Sequence, residues 1–341
     1  MTEHVQPEKL TAKDFASDQE VRWCPGCGDY AILKCLQRTL PELGATPENT
    51  VFVSGIGCSS RLPYYMATYG FHTIHGRAPA VATGLKLANP ELDIWVVTGD
   101  GDGLSIGGNH MLHMLRRNVD LNILLFNNEI YGLTKGQYSP TSQPGTRSPS
   151  TPFGSIERPV SPCSFALGSG GRFVARTIDT DQKHMPEVFR RAKENKGASF
   201  VEIFQNCIVF NDAVFGDFTN RDVAAERQLK ARHGEPLLFG KEKDKGLSLN
   251  REKLALEVIK IGENGHTLED VLVHDETNPI LAQMLTNIHP PDFPMVLGVL
   301  FCDPVESFEA AVIGQIKSIS KKKPGASLEK MMKSRRTWEV K

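Results

Sequence analysis

Apolar residues in this chain come in short bursts, and several of the bursts stop at glycine. Thr50-Val51-Phe52-Val53-Ser54, Ile94-Trp95-Val96-Val97-Thr98, Leu121 to Phe126, Phe173-Val174-Ala175-Arg176-Thr177 and Ser199 to Phe204 are near-continuous runs rich in β-branched and aromatic residues. Runs of this length without polar alternation predict strands buried on both faces. Helical segments lie between them. Tyr30 to Leu40 follows Asp29, a candidate cap, and should stop before Pro41; Ala80 to Ala88 is closed by Asn89-Pro90; Met185 to Asn195 is the third. Across residues 50–205 the alternation predicts an α/β fold with a doubly wound parallel sheet.

The polar residues that matter sit where the apolar runs end. Trp95 to Gln137 holds two such ends: Gly99-Asp100-Gly101-Asp102-Gly103, and Asn127-Asn128-Glu129-Ile130-Tyr131-Gly132. Asp100, Asn128 and a nearby backbone carbonyl are oxygen donors that suit Mg²⁺, which leaves further positions for phosphate and water. The carboxyl edge of a parallel sheet is where α/β folds bind ligands. The glycines alternate, and no G-x-G-x-x-G runs into the next helix, so a dinucleotide site is disfavoured. Gly-Asp-Gly alone is an ordinary turn. Paired with Asn-Asn about one βαβ unit later, it resembles the thiamine diphosphate signature.

Cysteine placement adds a second chemistry. Trp23-Cys24-Pro25-Gly26-Cys27 has the spacing of a thioredoxin redox pair, but a polar arm precedes it where a strand is expected. The alternative is half of a four-thiolate metal site. Cys58, in Gly55-Ile56-Gly57-Cys58-Ser59-Ser60-Arg61, and Cys207, just past Phe204, both follow strands and are candidates for the other half. Spacing does not choose between zinc and an iron–sulfur cluster. Cys35, Cys163 and Cys302 read as structural. His75, before a glycine and a helix start, is a candidate diphosphate ligand, whereas His72 has no assigned role. The Ser/Thr/Pro/Gly segment from Tyr138 to Pro162 is long for a connection and is expected to meet a partner.

Composition narrows the classes. The 341 residues are 40% hydrophobic and 23% charged with a net charge of −1, so no global field favours nucleic acid or anionic membrane. The N-terminus lacks an apolar signal core, and no run approaches membrane-spanning length. Seven cysteines at irregular spacing argue for reduced thiols or metal ligands and a cytoplasmic location. The expected organisation is an N-terminal arm (1–20), an α/β domain (21–215) and a smaller C-terminal region (216–341). That region includes the strand Val296 to Phe301. Its end, Lys317 to Lys341, carries nine basic residues against Glu329 and Glu339, and such a tail could attract an acidic partner.

Taken in order, Cys-Pro-x-Cys-Gly, Gly-Ile-Gly-Cys-Ser, His-Gly-Arg, Gly-Asp-Gly-Asp and Asn-Asn-x-x-Tyr-Gly-x-Thr resemble the β subunit of 2-oxoacid:ferredoxin oxidoreductases over roughly residues 20–215. The resemblance implies a thiamine diphosphate-binding fold, with Mg²⁺ held by Asp100, Asn128 and the Ile130 carbonyl. The cofactor would be surrounded by Ile56, Gly57, Cys58, Ser59, His75, Gly101, Asp102, Gly132 and Leu133. One [4Fe–4S] cluster would be held by Cys24, Cys27, Cys58 and Cys207, which resolves the metal in favour of iron. The implied reaction is oxidative decarboxylation of a 2-oxoacid with coenzyme A and ferredoxin, or its reverse. The segment Tyr131 to Thr141 looks most like the 2-oxoglutarate branch, with pyruvate as the alternative. An α subunit, with or without a fused γ segment, would complete a dimer of αβ heterodimers, a heterotetramer. It would also supply the carboxylate that activates thiamine, because no Glu in these motifs is placed for that task. Arg61 is the candidate for the substrate carboxylate, against a structural ion pair. A non-redox thiamine lyase would not need the cysteines, and a zinc-binding assembly subunit would not need Asp100 and Asn128.

Overall fold

In the computed structural model, residues 9–322, 327–334 and 338 are described. Eight strands form one sheet: β1 (Thr50–Ser54), β2 (Tyr69–His72), β3 (Asp93–Gly99), β4 (Leu121–Asn127), β5 (Phe173–Ile178), β6 (Ala198–Phe204), β7 (Gln228–Ala231) and β8 (Met295–Cys302), in the order β2-β1-β3-β4-β6-β5-β8-β7. The first six run parallel; β8 is antiparallel to β5, and β7 is parallel to β8. The chain leaves β1 toward one edge and returns at β3 to build toward the other. That reversal creates a crevice at the carboxyl ends of β1, β3 and β4.

Burial follows the residue pattern. Val51, Val53, Ile94, Val96, Ile123 and Leu125 face one core, while Phe52, Trp95, Val97, Leu124 and Phe126 face the other. Helices α2 (Ala78–Ala88), α4 (Gly108–Arg117) and α5 (Pro162–Gly168) cover the first face; α1 (Asp29–Glu42) and α6 (His184–Glu194) cover the second. Covering both faces is why the strands read as unbroken apolar runs.

Several expectations are revised. Helix α1 passes through Pro41 and ends at Glu42, and Asp29 is its first residue without capping it by its side chain. The glycine-rich segment after β3 is not an open turn but a short helix, α3 (Asp100–Leu104). Chain beyond residue 215 adds β7 and β8 to the main sheet, so the sheet itself has no break there. Only the small antiparallel sheet of Leu238–Phe239, Lys245–Asn250 and Ala255–Lys260 stands apart. The described part of the N-terminal arm lies on its own chain: Phe15 is buried and Ala16 bridges Met66. Parts of the basic tail fall outside the described residues. No helix among the described residues is long and apolar enough to cross a membrane.

Candidate active site

The carboxyl ends of β1, β3 and β4 share one cavity. Its walls include Ile56, Gly57, Cys58 and Ser59 after β1, His75 before α2, Asp100, Gly101 and Asp102 in α3, and Asn128, Ile130, Gly132 and Leu133 after β4. Every residue that the sequence suggested for diphosphate or Mg²⁺ therefore lies on one surface.

Asp100 is buried, and its Oδ2 accepts a hydrogen bond from Thr141 Oγ1 at 2.7 Å. Burial raises its pKa, with the Ser139 and Thr141 hydroxyls acting in the opposite direction. A divalent cation beside this buried carboxylate would restore the ionised form, so the carboxylate fits a cation ligand. Asn128 donates from Nδ2 to Gln205 Oε1 at 2.7 Å, and its Oδ1 accepts from the Ile130 N–H at 3.3 Å. Between them Glu129 takes a left-handed φ of 55°, which turns the chain sharply after β4.

Asp102 lines the cavity as the sequence suggested, and its carboxylate also bonds the surrounding loops. Its Oδ1 accepts from the Gly76 N–H and its Oδ2 from Thr98 Oγ1, both at 2.7 Å. A Cβ on Gly55 would stand 1.8 Å from Oδ2. The carboxylate thus ties the loops after β1 and before α2 to the end of β3. At Gly101 a Cβ would lie 2.1 Å from the Tyr131 ring, whose hydroxyl donates to the Gly101 carbonyl at 3.1 Å.

A second cavity adjoins the first and shares Cys58, Asn128, Gly132 and Leu133 with it. Cys24, Cys27, Cys58 and Cys207 all line it. A Cβ added to Gly132 would lie 3.4 Å from Cys207 Sγ and 3.7 Å from Cys58 Sγ, so both sulfurs flank one glycine. Burial, then the Asp29 charge, raises the Cys58 thiol to about 11, and Cys207 and Cys24 act in the same direction. Burial raises Cys27 further. Among the described residues no three His, Cys, Asp or Glu side chains gather as ligands of a single ion. Four thiols distributed around one cavity fit a multi-metal cluster whose positive charge would replace their protons.

Arg61 is not on the wall of the first cavity. It lines the cysteine cavity, where its Nη1 donates to the Arg22 carbonyl at 2.8 Å.

Sequence reasoning missed the residues that support these groups. Gln205 joins the cavities: it accepts from Asn128 and donates from Nε2 to Cys27 Sγ at 3.3 Å. Its place directly after β6, beside Asn127, was the available signal. Trp23 Nε1 donates to the Cys58 carbonyl at 2.7 Å. Thr141 comes from the long segment expected to meet a partner. Its beginning is instead folded inward, with Ser139, Thr141 and Ser142 buried, while Phe153 and Ile156 farther on are 98% and 94% exposed. Among the described residues no glutamate lines the first cavity. Around its mouth Ile74, Ile106 and Leu133 are exposed, and the edge strand β2 exposes all four of its residues, including Tyr69 and Phe71.

A family described as the C-terminal TPP-binding domain of thiamine pyrophosphate enzymes matches residues 55–203. The 2-oxoglutarate oxidoreductase subunit KorB of Mycobacterium tuberculosis is 49% identical over 340 residues, covering 98% of this chain and 89% of that protein. Subunit beta of 2-oxoacid:ferredoxin oxidoreductase 1 from Aeropyrum pernix is 45% identical over 196 residues, 58% of this chain and 62% of its own. A solved 2-oxoglutarate:ferredoxin oxidoreductase from Magnetococcus marinus, with 2-oxoglutarate, coenzyme A and succinyl-CoA bound, superposes with a TM-score of 0.76. It is 33% identical and covers 97% of both chains.

Proposed function

The chain belongs to the β subunits of the 2-oxoacid:ferredoxin oxidoreductases, and from that premise we propose that it serves the oxidative decarboxylation of 2-oxoglutarate with coenzyme A and ferredoxin. The 2-oxoglutarate names of the Mycobacterium and Magnetococcus proteins support that substrate over pyruvate. The observation that carries the reading is the wall shared by the two cavities, in which Cys58 belongs to both.

Asp100 and Asn128, with the Ile130 carbonyl, are suited to hold Mg²⁺ against the diphosphate of thiamine. Ile56 to Ser59, His75, Gly101 and Gly132-Leu133 would surround the cofactor, with Asp102 holding the loops in place. Bound thiamine diphosphate supplies a carbanion and accepts the electron pair left when CO₂ departs. Cys24, Cys27, Cys58 and Cys207 would hold one [4Fe–4S] cluster that removes those electrons singly. Arg61 is positioned on the cysteine side, where a distal substrate carboxylate could reach its guanidinium.

Among the described residues the first cavity offers no glutamate for the aminopyrimidine, and Ile106 and Leu133 on its wall are exposed apolar residues. Both features support an α subunit that closes the site and contributes the missing carboxylate, within a dimer of αβ heterodimers. Anaerobic co-purification with that subunit, followed by dye reduction with a panel of 2-oxoacids, tests the proposal. A brown complex containing iron and sulfide, with kcat/KM highest for 2-oxoglutarate, is expected. A preference for pyruvate would move the chain to the other branch. Absence of iron together with non-oxidative decarboxylation would overturn the redox reading.

A further inference from the structure

We propose that Gln205 is a positioning residue for both centres at once: it fixes the Asn128 amide with its oxygen free for the cation, and its own N–H tunes the cluster through the sulfur of Cys27. This rests on the reading above that Asn128 meets Mg²⁺ and that Cys27 ligates an electron-transfer cluster. Gln205 is the first residue after β6, and its backbone N–H donates to the Asn127 carbonyl at 2.9 Å, which sets it beside the end of β4. It is 1% exposed and lines the cysteine cavity. Gly28 leaves room for it, since a Cβ there would stand 3.0 Å from Gln205 Cγ.

A backbone group sets the direction of the two amides. The Ile130 N–H can only donate, so the Asn128 oxygen must face it, at 3.3 Å. Asn128 Nδ2 then needs an acceptor, which Gln205 Oε1 supplies at 2.7 Å. That contact leaves Gln205 Nε2 as a donor to Cys27 Sγ at 3.3 Å and to the Asn206 carbonyl. Turning either amide over would set N–H against N–H in a buried place, at the cost of an unsatisfied donor. The polarity therefore runs one way, from Ile130 through Asn128 and Gln205 to the sulfur. An N–H given to a cluster sulfur favours the more negative, reduced cluster and raises its potential. At the other end, an amide already fixed in orientation binds its cation more tightly than one free to turn.

The test uses the αβ holoenzyme with Gln205→Met, which removes both contacts, and Gln205→Glu, which keeps an oxygen for Asn128 and removes the amide N–H. Two quantities are read: the cluster potential, by redox titration followed by electron paramagnetic resonance, and the calorimetric Kd for thiamine diphosphate with Mg²⁺. Gln205→Met is expected to disfavour one-electron reduction about tenfold, a drop of about 59 mV, and to raise the Kd about tenfold. Gln205→Glu should lower the potential at least as far, yet leave the Kd within about twofold of the parent. A parent-like potential in the iron-loaded variants would overturn the inference, as would a Kd that rises equally in both. Loss of iron from both variants would overturn it too, by making Gln205 a requirement of assembly; if one alone loses iron, the other decides. A parent complex that holds no iron, or that binds thiamine diphosphate without Mg²⁺, would instead sink the reading on which the inference rests.

Discussion

The two cavities share a wall but are constructed in opposite ways. The first is built on strand ends, and its polar groups are fixed before any ligand arrives: Thr141 holds Asp100, Gly76 and Thr98 hold Asp102, and Tyr131 is bonded to Gly101. The second is assembled from loops far apart in the chain, and its thiols have few partners, Cys27 with Gln205 among them. Burial favours the protonated thiols at Cys27 and Cys58. One site is preorganised by protein hydrogen bonds, whereas the other has the construction expected if the proposed cluster organises it. A cofactor that dissociates needs the first construction, and a resident cluster tolerates the second.

The largest expected effects separate the two. Asp100→Ala should weaken Mg²⁺-dependent thiamine diphosphate binding by roughly 100-fold or more, since it removes the carboxylate proposed to hold the cation. Its iron and sulfide content should stay at the parent level. Cys207→Ser should do the reverse, losing iron while retaining a thermal shift with thiamine diphosphate and Mg²⁺. If Asp100→Ala also emptied the cysteine cavity, the two sites would be one folding unit and the contrast would fail.

How much of this was legible from the residues follows the same division. The buried strands were readable because a sheet covered on both faces needs continuous apolar runs, and most residues on the first cavity's walls were readable because they follow such a run. Cys207 could be proposed only as a strand-end cysteine, and its approach to Cys58 depends on β6 lying beside β4. Thr141 was not legible, because a serine- and threonine-rich loop gives no sign of which hydroxyl turns inward, and Gln205 offered only its place directly after a strand, without a motif. That β7 and β8 extend the main sheet was not legible, because strand pairing leaves no mark in local composition.

Thr141 offers an intermediate test of preorganisation. Its hydroxyl also lies 3.0 Å from Asn127 Oδ1, and Asn127 Nδ2 donates to Glu202 Oε1 at 2.8 Å. Glu202 in turn pairs with the buried Arg176 at 2.8 Å. Asp100 is thus held by a chain of contacts that ends in an ion pair. Thr141→Val should raise the apparent Mg²⁺ Kd about tenfold, the scale of one hydrogen bond to a charged group, and Thr141→Ser should largely restore it. Equal Mg²⁺ titrations for the Val and Ser variants would show that Thr141 only fills space.

The smallest effect concerns Glu129, which points away from the thiamine side into a cavity lined also by Glu202, Asp217 and Arg176. Burial raises its pKa from 4.5 to about 7; the charges of Asp100, Glu202 and Asp217 add to this, and the Gln143 amide opposes it. A carboxyl whose folded pKa is raised contributes stability in its protonated form. That contribution is complete below 4.5 and is lost as pH rises through about 7. Glu129→Gln keeps an acceptor for Gln143, which donates to Glu129 Oε1 at 3.1 Å, but removes the titration. In the ligand-free chain the melting temperature of the variant should therefore gain on the parent between pH 4.5 and about 7 and hold its lead above that. A pH-independent difference would mean that Glu129 is as well solvated as in the unfolded chain. Only a local effect is expected, because this carboxylate lies on the preorganised side: its titration should leave the iron content of the cysteine cavity unchanged.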